Sequence, residues 1–125
     1  MQQREWLDIY LEGWRTGDAE MSLSATSPGF FYDDPDTGRI VRSGFLRFFA
    51  DFKAAGASLA GGKVPMPFLD YSDLTVVDTN PAIAWCWWCV TGTDFRGTAC
   101  IRFDQSGVLS ERIAYFTSNP TETTI

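Results

Sequence analysis

Tyr10-Leu11-Glu12-Gly13-Trp14-Arg15-Thr16-Gly17-Asp18, followed by Phe30-Phe31-Tyr32-Asp33-Asp34-Pro35, decides how this chain of 125 residues is read. The first segment continues a pattern that begins at Gln3. Trp6, Tyr10 and Trp14 recur at a spacing of four with Leu7 and Leu11 beside them, while Arg4, Asp8, Glu12 and Arg15 fall mainly on the other side. Apolar residues at that spacing line one face of a helix, so Gln3 to Thr16 is predicted helical and ends at Gly17. Asp18 suits the N-cap of a second, short helix running to about Ala25, which Pro28 and Gly29 stop. The second quoted segment is short, aromatic and closed by a proline. It reads as a strand from Phe30 to Asp34 with Asp36, Thr37 and Gly38 as its turn.

Farther along, Ser43 is placed to cap a third helix, about Gly44 to Ala55, whose Phe45, Phe48, Phe49 and Phe52 form a phenylalanine-rich face. A loop with Gly61-Gly62 and two prolines follows, without the context of a phosphate-binding motif. Strands are predicted at about Phe68 to Val77, Ala82 to Thr91, Gly97 to Phe103 and Val108 to Phe116, separated by turn signals. Helices followed by an antiparallel meander define an α+β class. In the second of these strands Trp85, Trp87, Cys89 and Thr91 share one face, and Ala84, Cys86, Trp88 and Val90 the other. Both faces are apolar, whereas a single antiparallel sheet normally wets one side. This implies helices and a pocket on one face and a second subunit on the other, that is, a homodimer through the outer sheet face.

Composition narrows the function classes. Apolar residues make up 45% of the chain and aromatic residues 15%, enough for one folded domain over residues 1–125 with a core and a cavity. The net charge of −6 and the lack of a basic cluster beyond Arg39 and Arg42 argue against nucleic acid and against an anionic membrane surface. No apolar run approaches the length of a membrane span or a signal peptide, which leads to the expectation of a cytoplasmic protein. Cys86, Cys89 and Cys100 sit in apolar strand-like runs and read as buried free thiols; Cys86 and Cys89, three apart on a strand, point to opposite faces. The chain has no histidine. Proton chemistry must therefore rest on Asp, Glu, Tyr, Lys or Cys.

The run from Tyr10 to Asp18, the Asp34-Pro35 pair, Ser43-Gly44, the helix with Phe48-Phe49 and the terminal strands resemble the nuclear transport factor 2-like superfamily over nearly the whole chain. More narrowly, they resemble its SnoaL-like polyketide cyclase and ketosteroid isomerase branch. The resemblance implies a cone: a strongly curved antiparallel sheet wrapped around about three N-terminal helices, enclosing a deep apolar pocket and frequently dimeric. It also implies that a tyrosine on the first helix holds a substrate oxygen and an aspartate before proline shuttles a proton, positions that match Tyr10 and Asp34. The family's second donor falls at Ala99 and a supporting tyrosine at Phe49. Loss of one such donor typically costs about a hundred- to a thousandfold in rate.

Asp34 shares a strand face with Phe30 and Tyr32, with Asp33 opposite, so one carboxylate points inward and one outward. The catalytic reading stands beside two others: Asp33, Asp34 and Asp36 as a solvated turn that caps backbone amides, or a hard-cation site, for which the calcium-loop spacing is missing. No metal and no cofactor is assigned. Tyr10 lies at the centre of the Trp6 and Trp14 stripe, where its hydroxyl can reach a partner or ligand, although such a stripe is usually just core. Trp14, Phe49, Trp85, Trp87 and Phe116 are taken collectively as walls for a ring-bearing ligand. Arg96 and Arg102 face away from Ala99, and Asp70, Asp73, Glu111 and Arg112 read as exposed strand charge. The expectation is a cofactor-independent isomerase, cyclase or dehydratase for a small apolar carbonyl compound, Asp34 as base and Tyr10 as oxyanion donor. The competing reading is a non-catalytic apolar-ligand-binding or dimerisation module.

Overall fold

The structure, a computed structural model, describes residues 2–116; residues 1 and 117–125 of the expected domain lie outside the described residues. Three helices, α1 (Gln3–Thr16), α2 (Ala19–Ser24) and α3 (Phe45–Leu59), pack on a six-stranded sheet. Its strands are β1 (Thr26–Asp34), β2 (Gly38–Val41), β3 (Leu69–Val77), β4 (Ala82–Val90), β5 (Arg96–Asp104) and β6 (Gly107–Tyr115), in the order β2-β1-β6-β5-β4-β3. This is the expected α+β class with a curved sheet wrapped on N-terminal helices. Register shifts between Ser72 and Thr75 and between Arg102 and Phe103 add the local twist that bends such a sheet. All pairings but one are antiparallel; β1 runs parallel to β6, bringing Tyr32 beside Glu111.

α1 closes as its residues dictate. Gly17 takes a left-handed conformation (φ 75°), which glycine adopts without steric cost, and Asp18 caps α2 by accepting from the Met21 amide at 3.1 Å. Leu7, Tyr10, Leu11 and Trp14 are buried. Each such side chain, fully buried, contributes on the order of 1.5–3 kcal/mol. α3 presents Phe45, Phe49 and Phe52 to the core with Phe48 at its margin.

Three boundaries differ from expectation. β1 begins at Thr26 rather than Phe30 and runs through Pro28 and Gly29. A proline is tolerated there because the β1–β6 ladder shifts between Thr26 and Phe31 and β2 pairs only from Phe31 onward, leaving no ladder bond for Pro28 to break. The turn assigned to Gly38 opens a short strand, β2. α3 starts after a single 3-10 turn at Arg42–Gly44, with Gly44 rather than Ser43 at its cap, and continues past Gly56 to Leu59. Gly56 is a packing residue, since a Cβ there would lie 2.8 Å from a Phe68 ring carbon.

β4 shows the alternation its sequence requires: Ala84, Cys86, Trp88 and Val90 are buried on the inner face, and Trp85, Trp87 and Cys89 lie half-buried on the outer one. Trp88 fits because its β5 neighbour is Gly97. A Cβ on Gly97 would overlap the Ala114 carbonyl oxygen and lie 2.7 Å from the Trp88 ring. Gly97→Ala is therefore expected to destabilise the fold by roughly 1–3 kcal/mol, measured as a lower urea midpoint at unchanged m-value. An unchanged midpoint would show that the Trp88 ring and the β6 backbone at Ala114 yield without cost.

Candidate functional site

Two phenol–carboxyl pairs define the polar chemistry of the inner sheet face. The deeper one joins α1 to β6. Tyr10, 0% exposed, packs its ring against Phe30 and Phe45 at centroid distances of 5.8 and 6.3 Å and donates its hydroxyl proton to Glu111 Oε1 at 2.5 Å. Glu111 is 3% exposed, which overturns its reading as exposed strand charge. The signal was its parity: Glu111, Ile113 and Tyr115 alternate onto one face of β6.

No cation compensates Glu111 among the described residues, where the ion pairs are Arg4–Asp8, Arg15–Glu12, Arg39–Asp33 and Arg112–Asp33. Burial pushes its carboxyl up to about 7, while the Tyr10 hydrogen bond acts in the opposite sense. The phenols of Tyr10, Tyr32 and Tyr71 are all raised well above the ordinary range, first by burial and next by the field of Glu111. The Tyr71 hydroxyl and the indole N–H groups of Trp14 and Trp88 are buried without a hydrogen-bond partner among the described residues. The Trp14 N–H still favours the Tyr10 phenolate electrostatically, without reaching hydrogen-bond geometry.

The second pair sits at the end of β1. Asp34, 5% exposed, accepts from the amides of Asp36 (2.8 Å) and Thr37 (3.1 Å) through Oδ1 and from the Tyr115 hydroxyl (2.5 Å) through Oδ2. One oxygen thus caps the turn while the other faces the inner sheet surface. Tyr115 is half-buried and its phenol is raised, by burial first and then by the hydrogen bond to Asp34. Its ring meets Phe95 at 5.3 Å and Trp88 at 5.9 Å, and Phe95 stacks on Phe52 at 5.5 Å. Asp33 points outward, as the alternation required, and is held below the usual carboxylate range by Arg39, with Arg112 also bonded to it.

Tyr10, Trp14 and Phe49 lie together in the interior, where the Trp14 and Phe49 rings stack at 4.0 Å. Asp34 lies near the inner rim and bonds Tyr115 rather than Tyr10. Trp85, Trp87 and Phe116 occupy the outer face, with ring centroids 4.6 Å apart for Trp85 and Trp87 and 4.4 Å for Trp87 and Phe116. The seven residues named from the sequence therefore fall in three places rather than in one pocket. Tryptophan density concealed this, because β4 carries indoles on both faces. Ala99 is fully buried between Cys86 and Ile113 on the inner face. All three cysteines are free, and burial pushes the Cys86 thiol up to about 12. Among the described residues no group of three or more His, Cys, Asp or Glu is arranged to hold a metal ion, and no helix is long and apolar enough to cross a membrane.

No protein-family model matches the sequence, and no curated protein matches it. Solved structures do. An NTF2-like protein of unknown function from Burkholderia xenovorans LB400 superposes with a TM-score of 0.60 at 16% identity, covering 97% of this chain and 86% of that one. A candidate polyketide cyclase from Xanthomonas campestris pv. campestris gives 0.59 at 12% identity over 88% and 87%. A cystatin-like protein of unknown function from Xanthomonas campestris gives 0.60 at 12% over 94% and 92%. The chain has the nuclear transport factor 2-like, cystatin-like fold. At these identities the likeness carries the fold, and activity must be argued from the site.

Glu111 makes stability depend on pH in a defined window. Its folded value of about 7 lies above its ordinary 4.5, so the folded state holds the proton more tightly. Stability is then greatest below about 4.5, falls as pH rises toward 7, and levels off above it, a loss on the order of 3 kcal/mol. Asp33 and Glu12, both lowered, act at the acid end, outside this window. Urea titrations at pH 5 and pH 8 should show the decline, and Glu111→Gln should flatten it. Equal slopes in both proteins would remove Glu111 as the cause.

Proposed function

We propose that this chain is a cofactor-independent small-molecule enzyme of the isomerase, cyclase or dehydratase type, acting on an apolar carbonyl compound with Asp34 as general base. The observation that carries this reading is the placement of Asp34 on the inner face, with one oxygen held by turn amides and the other by a half-buried phenol among aromatic rings. In this reading the carboxylate takes a proton from the carbon beside the substrate carbonyl and returns it to another atom. Proton transfer by such a positioned group is worth about 10²- to 10⁴-fold. The phenol at hand is Tyr115 rather than Tyr10. Tyr10 is fully buried and its proton is engaged by Glu111, so an oxyanion role for it would need that bond to break. The candidate polyketide cyclase among the structural neighbours fits this reaction class by analogy only.

The experiment is a thermal-shift screen with cyclic ketones, lactones and phenolic polyketides, followed by turnover assays on the hits. Asp34→Asn should lower kcat by about 10²-fold or more with KM little changed, and Tyr115→Phe should cost about tenfold. Undiminished turnover in Asp34→Asn would take Asp34 out of the mechanism.

A non-catalytic module is the second reading, favoured by the Trp14–Phe49 stack that occupies the interior and by apolar Ala99 at the second donor's place. Both readings include a homodimer through the outer sheet face. Val77, Ile83 and Trp85 are neighbours on β3 and β4, and Val77 and Ile83 are exposed, an apolar patch suited to a second copy. Sedimentation at micromolar concentration should give twice the chain mass, and Ile83→Asp should halve it; a monomeric wild type would overturn the dimer.

A further inference from the structure

The opposite end of the outer face has a different character. Asp70, Cys89 and Arg96 stand in one cross-strand row, Asp70 paired with Cys89 and Cys89 with Arg96. Adjacent strands lie about 4.8 Å apart, so the acid and the base are separated by roughly 10 Å of backbone, with the Cys89 thiol between them. Neither forms an ion pair among the described residues, and both are exposed. With Ser72, Trp87 and Phe116 they line a groove of about 540 Å³. That size suits a small organic ligand.

The aromatic rings and these two exposed charges select the ligand. Trp87 and Phe116 offer π surface on one side of the row, where a planar ring packs with favourable offset or edge contacts. Arg96 presents a planar fork matched to a carboxylate. A purely anionic ligand, however, would face Asp70 in the groove and a chain of net charge −6, and a purely cationic one would face Arg96. A zwitterion meets both charges and carries no net charge for the protein's field to repel.

We propose that this groove binds a small zwitterionic aromatic compound of the aromatic amino acid type, its carboxylate toward Arg96, its ammonium toward Asp70 and its ring on Trp87 and Phe116. The site lies on the other face of the sheet from Asp34 and is independent of the reading given for that residue. It also leaves the Val77, Ile83 and Trp85 end of the face to a second copy.

Calorimetric titration of the full chain with L-phenylalanine, phenylacetate and phenethylamine separates the charge terms. L-phenylalanine should bind saturably, and each singly charged analogue about tenfold more weakly, as expected for loss of one charge-assisted contact. Arg96→Gln and Asp70→Asn, both at exposed positions that leave the core untouched, should each weaken L-phenylalanine by a similar factor. Asp34→Asn should leave its affinity unchanged. The proposal is overturned by absence of saturable binding, by equal affinity for the three compounds, by indifference to both groove variants, or by loss of binding in Asp34→Asn.

Discussion

A buried carboxyl group with no cation beside it among the described residues holds the centre of this molecule. Glu111 is buried among Tyr10, Tyr32 and Tyr71 and receives a single described hydrogen bond, from Tyr10. Burying an unpaired carboxylate is costly enough that the group keeps its proton instead. The bond from Tyr10 also ties the first helix to the last strand, so the two ends of the described chain meet in one low-dielectric contact. With β1 running parallel to β6, Tyr32 is drawn into the same cluster. The same face of α1 carries Trp14, which is buried one turn further on and stacks on Phe49.

Contact between distant segments explains what was legible in the sequence. α1, α2 and the face of α3 were readable because their signals are local: a stripe at helical spacing, a left-handed glycine at Gly17, a capping carboxylate at Asp18. The sidedness of β1 was readable too, with Asp34 inward and Asp33 outward. Glu111 was not, since a charge in a strand ordinarily marks the wet face and the partner that makes its burial tolerable lies 101 positions away. Pro28 and Gly56 misled for a related reason. Each is a local breaker, and each is tolerated by a long-range circumstance, a ladder shift for Pro28 and the Phe68 ring for Gly56.

The candidate site was half legible. Asp34 stands where a strand ending in Asp-Pro should place it, but the phenol it meets comes from β6, and alternation alone cannot tell which of several tyrosines will reach it. The wall residues show the opposite failure. Trp85 and Trp87 were conspicuous by type, yet type carries no information about face when Trp88 sits between them. Strand parity separates these residues cleanly, and once parity is applied the aromatic residues divide into an interior filling, a rim and an outer surface.

This division constrains any activity more than the likeness of fold does. An interior cavity would need empty volume, whereas this chain stacks the Trp14 and Phe49 rings at 4.0 Å, and a close-packed interior yields such volume only at the cost of lost ring contacts. Chemistry on the inner face is therefore best sought at the half-buried rim, where Asp34 and Tyr115 already meet and where Phe48 and Phe95 are not fully covered. Tyr10 and Glu111, fully enclosed, serve the scaffold in the state described, and their exchangeable proton couples that scaffold to pH rather than to a substrate. The two phenol–carboxyl pairs, alike in kind, are thus distinguished by depth: one closed inside the scaffold, the other at its half-buried rim.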